Sequence, residues 1–257
     1  MDEKQPRSMS PLRGPLPTRR SRPLLALALV ALGFYGYFHI QALSRFGFAA
    51  DRWDSRTHSL PLPHSVAAVV PLEAHIMSKC PDARDCLREL VLPTMQKVYG
   101  KVNFTLSYIG RPTENDGVQC MHGPEECLGN IIELCAQKLY PDPKTYLGFT
   151  MCLSKDYKQI PQRSLVEDCA LEHAIDFSEL NNCATRDDGA YGVGMLRDSV
   201  RRSSSVGVNK SCTVRLDDKI YCIRDGGKWT DCPAGAEVND LVIAIEKLYQ
   251  SSVAPPS

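Results

Sequence analysis

Apolar positions divide the 257-residue chain into one long uncharged run followed by a region of shorter, regularly patterned segments. The run is residues 24–43, LLALALVALGFYGYFHIQAL, with no Lys, Arg, Asp or Glu. As a helix, such a length reaches about 30 Å, enough to cross the hydrocarbon core of a bilayer. Residues 65–76 (SVAAVVPLEAHI) are valine-rich and suit a buried strand. Pro81 and Asp82 then open a helix, with Asp82 as N-cap, Asp85 three residues on, and Leu87, Leu90, Val91 and Met95 at helical spacing. Residues 102–109 alternate Val, Phe, Leu, Tyr with Asn, Thr, Ser and predict a second strand. Strand, helix, strand at this spacing predicts a parallel pair with a right-handed crossover. An irregular stretch follows Gly110. Helices or helical turns are expected over 148–156, 164–174 and 189–201. Residues 212–216 and 219–223 predict a hairpin turning at Asp217-Asp218. An amphipathic helix over 238–249 closes the chain, with Val238, Leu241, Val242, Ile245 and Leu248 on one face.

Charge orients the apolar run. Lys4, Arg7, Arg13, Arg19, Arg20 and Arg22 precede it against only Asp2 and Glu3, whereas Arg45, Arg52 and Arg56 after it are partly offset by Asp51 and Asp54. The positive-inside rule predicts a single-pass type II signal-anchor, with residues 1–22 a cytoplasmic, disordered tail, 24–43 the span, 44–64 a stalk broken by Pro61 and Pro63, and 65–250 a luminal domain. A cleaved signal peptide is the competing reading, but Ala49-Ala50 is a poor cleavage site after such large residues. The 30 basic residues equal the 30 acidic ones, which argues against a nucleic-acid partner. All eleven cysteines lie from Cys80 to Cys232, a density that implies an oxidising compartment, and an odd count leaves at least one thiol free or paired between molecules. Sequons at Asn103-Phe104-Thr105 and Asn209-Lys210-Ser211 fit a luminal domain as glycosylation sites.

The densest chemistry is Cys120-Met121-His122-Gly123-Pro124-Glu125-Glu126-Cys127, followed by Asn130, Glu133 and Cys135. Structural zinc at Cys120, His122, Cys127 and Cys135 is one reading. The spacing lacks paired C-x2-C knuckles, however, and disulfides without metal are expected. The pattern resembles the signature of the gamma-interferon-inducible lysosomal thiol reductase family, C-Q-H-G-x-x-E-C-x-x-N-x-x-E-x-C. Met121 replaces the glutamine, and His122, Gly123, Glu126, Cys127, Asn130, Glu133 and Cys135 fall in place. The resemblance covers about residues 66–232 and is that of a diverged, fungal-type branch. It implies an α/β, thioredoxin-like fold with a disulfide-rich helical insertion, and a thiol reductase that uses no cofactor and acts on disulfide-bonded protein substrates.

The same resemblance places a nucleophile at Cys80, where the first strand meets the first helix and a helix N-terminus stabilises a thiolate. Pro81 matches the family's C-P-x-C form, but Ala83 stands where the second cysteine belongs. Cys86 is the expected substitute, within reach if Asp82 caps the helix and Cys80 lies outside it. The cis-proline of thioredoxin folds also has no counterpart in Val208-Asn209-Lys210-Ser211-Cys212. His122 and Trp229 are expected to pack, and Glu125-Glu126 to lie at the surface. The function expected is a membrane-anchored luminal thiol–disulfide oxidoreductase acting through Cys80 and Cys86. The alternative is a non-catalytic thioredoxin-like module that binds luminal client proteins.

Overall fold

The structure, a computed structural model, describes residues 69–253, which belong to one unit, Pro63–Ser257. The tail, the uncharged 24–43 run and the stalk lie outside the described residues. Among the described residues, no helix is long and apolar enough to cross a membrane.

Strand β1 (Val70–Ile76) leads through a short loop to helix α1 (Pro81–Cys86). The helix continues through a π turn (Leu87–Val91) into α2 (Leu92–Val98). The π turn answers a residue choice. Pro93 has no N–H to give, so the α pattern must lapse nearby, and Leu92 N–H bonds five residues back to Leu87 O. Strand β2 (Val102–Tyr108) returns parallel to β1, with Val70 opposite Val102 and Ile76 opposite Tyr108.

Two short strands, β3 (Arg111–Pro112) and β4 (Val118–Gln119), precede a helical insertion. The insertion holds α3 (Pro124–Leu139), α4 (Pro143–Lys155), α5 (Arg163–Glu172), α6 (Phe177–Thr185) and α7 (Ala190–Ser205). The chain then re-enters the sheet as β5 (Thr213–Leu216), β6 (Lys219–Asp225) and β7 (Lys228–Thr230) and ends in α8 (Val238–Val253). The main sheet runs β2-β1-β5-β6-β7, parallel only between β1 and β2. A βαβ unit, a helical insertion, a β-hairpin and a closing helix in this order constitute the thioredoxin-like arrangement.

Strand β1 is buried on both faces. Its successive side chains point to opposite sides, so Leu72, Ala74 and Ile76 share one face and Glu73 and His75 the other. The apolar face packs with Leu87, Leu90, Val91 and Met95 of the first helical run and with Leu241 and Ile245 of α8. The polar face meets α7, where Arg202 and Ser203 receive Glu73 and His75. Five disulfides cross-link the elements: Cys86–Cys212, Cys120–Cys127, Cys135–Cys183, Cys152–Cys169 and Cys222–Cys232.

Candidate active site

The site forms where β1 ends. Cys80, not Asp82, is the N-cap of α1, and Pro81 is its first residue. Proline suits that position because its missing N–H would be unpaired there anyway. Asp82 instead accepts backbone N–H groups from Gly226 and Gly227 at 2.9 and 2.8 Å, tying α1 to the β6–β7 turn. The Cys80 N–H bonds to Met77 O at 3.0 Å, and its thiol lies 3.5 Å from the carbonyl oxygen of Ser211. Cys80 is 9% exposed and is the free cysteine of the domain.

The structure does not pair Cys80 with Cys86. Cys86 is bonded to Cys212, immediately before β5. The reason is helical geometry. Because the helix starts at Pro81, Cys86 lies about 9 Å along the axis from its cap, whereas a disulfide needs Cα atoms within about 7 Å. Cys86 therefore reaches across to the sheet, and Ala83 is buried where a C-x-x-C motif would carry its second thiol. No proline stands before β5, and the Ser211–Cys212 peptide is cis.

The signature residues support the loop that carries Cys80. Gly123, with φ +88°, caps α3 in a conformation that favours glycine. From α3, Asn130 Oδ1 accepts the Ser78 N–H at 2.9 Å, and the Glu126 carbonyl accepts the Ser78 hydroxyl at 3.2 Å. Gly129 permits this approach, since a Cβ there would lie 2.7 Å from Ser78 Oγ and 2.4 Å from Ile160 Cγ2. Lys79 Nζ bonds to Glu125 and to the Ile160 carbonyl, and on the far side Ser211 Oγ accepts the Met77 N–H at 2.8 Å. The loop 77–80 is thus held from the insertion and from the sheet together.

Glu126 is fully buried, contrary to the surface position expected of it, and receives both the His122 ring and the His122 N–H. His122 is accordingly a structural partner of Glu126. Glu125 stays exposed against Lys79, and Trp229 packs under Arg224, as expected. Arg224 also gathers Glu89 at 2.9 Å and Asp85 at 3.5 Å, while Arg84 holds the Asp85 carboxyl below its ordinary range through a hydrogen bond. The carboxylates flanking Cys80 in sequence are therefore engaged with arginines.

Cys120 and Cys127 bond to each other and Cys135 to Cys183, so the thiolates that zinc would need are consumed. A cluster of Cys152, Glu172 and His173 has metal-like spacing, but Cys152 is bonded to Cys169. Asn103, on edge strand β2, and Asn209 are both exposed.

Two buried groups had no structural role assigned to them from the sequence. Ser203 Oγ, His75 Nδ1 and Nε2, and Glu73 form a chain at 2.9 and 3.0 Å. The order suggests a hydrolytic triad, but the Ser203 hydroxyl donates to Tyr108 O at 2.8 Å, and the group is sealed beneath α7. Burial drives His75 down to about 4, with Glu73 opposing the effect and Arg215 and Arg202 adding to it. The second group is Glu133, which accepts the Tyr108 hydroxyl at 2.7 Å. An open cleft of about 520 Å³ runs beside the Cys80 loop, lined by Met77, Arg111, Cys120, Met121, Val208 and Asn209 among others.

The domain is thus thioredoxin-like, with a buried free thiol capping its first helix. Residues 71–173 match the family model described as Gamma interferon inducible lysosomal thiol reductase (GILT). It is 29% identical over 153 residues to GILT-like protein 1 of Drosophila melanogaster, covering 53% of this chain and 61% of the relative. It is 28% identical over 114 residues to the gamma-interferon-responsive lysosomal thiol protein of Arabidopsis thaliana, covering 42% of this chain and 46% of the relative. The chain thus spans less than two thirds of the length of either relative. Solved structures similar to it include oxidised BdbD from Bacillus subtilis, at TM-score 0.47, 15% identity and coverage of 70% and 88% of the two chains. Another is the thiol-disulfide exchange protein alpha-DsbA2 from Wolbachia pipientis, at TM-score 0.46, 13% identity and coverage of 70% and 81%.

Proposed function

We propose that this protein is a thiol–disulfide oxidoreductase that reduces disulfides of protein substrates, with Cys80 as its nucleophile. The observation that carries the reading is a single free thiol at a helix N-cap, in a loop fixed by the family signature, next to a disulfide. The Cys80 thiolate attacks one sulfur of the substrate disulfide. A Cys80–substrate bond forms, the substrate S–S bond breaks, and the other substrate sulfur leaves as a thiolate that takes up a proton. The cleft lined by Met77 and Asn209, at the start of the loop that carries Cys80, offers the substrate chain a bed.

The finer setting belongs to the same proposal. Five disulfides suit a lumen or the cell exterior, and the uncharged 24–43 run suits a type II anchor. Exposed Asn103 and Asn209 are then available for glycan, so the full chain made in a eukaryotic secretory system should shift in mass on endoglycosidase treatment. An unmodified chain would count against the luminal setting.

The test of the chemistry is turnover. Reduced full-length protein should reduce a disulfide-bonded protein substrate in the presence of excess low-molecular-weight thiol, and Cys80→Ser should abolish the increment over thiol alone. One observation favours a second reading, a non-catalytic client-binding module: Cys80 is only 9% exposed. Client binding that survives Cys80→Ser, with no turnover by the wild type between about pH 4 and 8, would establish the module instead.

A further inference from the structure

We propose that Cys212 is the resolving cysteine of this site, and that Cys80, Cys212 and Cys86 form a three-cysteine exchange chain in place of a C-x-x-C pair. The inference rests on the reading that Cys80 exchanges disulfides. Three observations carry it. First, the position three residues after Cys80 holds buried Ala83, so no thiol is available there. Second, the Cys80 thiol contacts the carbonyl oxygen of Ser211 at 3.5 Å, and that carbonyl shares its peptide bond with Cys212. Third, Cys212 is already bonded to Cys86, and both are fully buried, whereas Cys80 keeps a small exposed edge. A rim thiol thus meets the substrate, and the residue after the one whose carbonyl it touches belongs to an interior pair. Cys86 cannot serve Cys80 directly, because about 9 Å of helix separates it from the cap.

The steps balance as follows. Starting with all three as thiols, Cys80 forms a mixed disulfide with the substrate and releases the first substrate thiol. The Cys212 thiolate attacks the Cys80 sulfur, a Cys80–Cys212 bond forms, and the second substrate sulfur leaves and is protonated. The Cys86 thiolate then attacks the Cys212 sulfur, giving Cys86–Cys212 and returning Cys80 as a thiol. The substrate gains two electrons, and Cys86 and Cys212 lose two. Two molecules of a low-molecular-weight thiol reduce Cys86–Cys212 for the next cycle and leave as their disulfide. The arrangement in the structure, with Cys80 free beside an oxidised Cys86–Cys212, is the end of this sequence.

The experiment reduces the full chain, removes the reductant, adds oxidised glutathione, quenches in acid and alkylation reagent at increasing times, and maps disulfides by mass spectrometry. In wild type, glutathione on Cys80 should give way to Cys80–Cys212 and then to Cys86–Cys212. Cys86→Ala should stop at Cys80–Cys212 with glutathione released. Cys212→Ala should retain glutathione on Cys80. The proposal is overturned if Cys86→Ala retains glutathione as Cys212→Ala does, or if Cys212→Ala resolves through Cys80–Cys86. Should either variant fail to fold, wild type and Cys80→Ser decide. Re-formation of Cys86–Cys212 at the same rate in both, with no Cys80–Cys212 at any time in wild type, also overturns it. A wild type in which Cys80 never takes up glutathione defeats the underlying exchange reading instead.

Discussion

Glu133 is enclosed within α3, and burial raises its carboxyl from 4.5 to about 8, with Glu126 adding to the rise and the Tyr108 hydroxyl opposing it. The folded protein therefore holds a proton there that the unfolded chain has released between about pH 4.5 and 8, so this group's contribution to stability falls as pH rises through that window. Glu133→Gln mimics the protonated form. Relative to wild type, it should be near neutral in urea unfolding at about pH 5 and progressively more stable toward about pH 8. An unchanged difference between the two proteins across that range would refute the buried-acid account. His75 has the opposite sign. Its ring is held at about 4 against an ordinary 6.5, so the unfolded chain binds the extra proton and stability is lost as pH falls through that interval. His75→Gln should therefore gain on wild type from about pH 7 down to 4.5, a trend read from the same unfolding curves.

At the scale of elements, helix α3 links sequence to site. Asn130 accepts a buried backbone N–H from Ser78 on the Cys80 loop. Asn130→Ala leaves that donor unpaired and should cost about 1–3 kcal/mol in unfolding free energy. It should also change the rate at which Cys80 reacts with a disulfide probe. Stability lost with that rate unchanged would confine Asn130 to a structural role. This helix also marks where the sequence was hard to read. Its buried face carries Glu126, Asn130 and Glu133 as well as Ile131 and Cys135, so the usual apolar stripe is interrupted by polar groups satisfied inside the protein. Strand β1 hides its period for a related reason: Glu73 and His75 are buried against Arg202, Arg215 and Ser203. The parallel β1–β2 pair, the hairpin and α8 were legible because their burial is ordinary. The hairpin turns at Asp217 and Asp218 with φ of 49° and 60°, as the Asp-Asp pair predicts. Glycine meets no steric penalty at such angles, so Asp218→Gly should raise stability by about 0.5–1 kcal/mol, net of its exposed contact with Arg202. A lower midpoint in thermal unfolding would show that contact to matter more than the backbone. The site was half legible. Cys80 stood out by its place before Pro81, but its neighbour Cys212 lies 132 positions away by number, and only the fold brings the two together.

Across the whole domain, the disulfides fall into two groups with different consequences. Cys86–Cys212 and Cys222–Cys232 secure the sheet and first helix, whereas Cys135–Cys183 and Cys152–Cys169 secure the insertion and Cys120–Cys127 its entry into α3. Cys135–Cys183 joins α3 to α6 across 48 residues, and chain entropy assigns such a closure about 4 kcal/mol. Its removal should act on the site as well as on stability, because α3 carries Asn130 and the Glu126 carbonyl that hold Ser78. In Cys135→Ala/Cys183→Ala, the domain should lose stability on that scale, and the Ser78 amide should lose hydrogen-exchange protection together with α3. Amides of β6, which pair with β5 and β7 on the opposite side of the sheet from β2, should lose less. Equal loss at Ser78 and β6 would mean that the insertion and the sheet open as one unit. Ser78 protection that stays at the wild-type level while α3 loosens would mean that the Cys80 loop is held by Ser211 and the sheet alone.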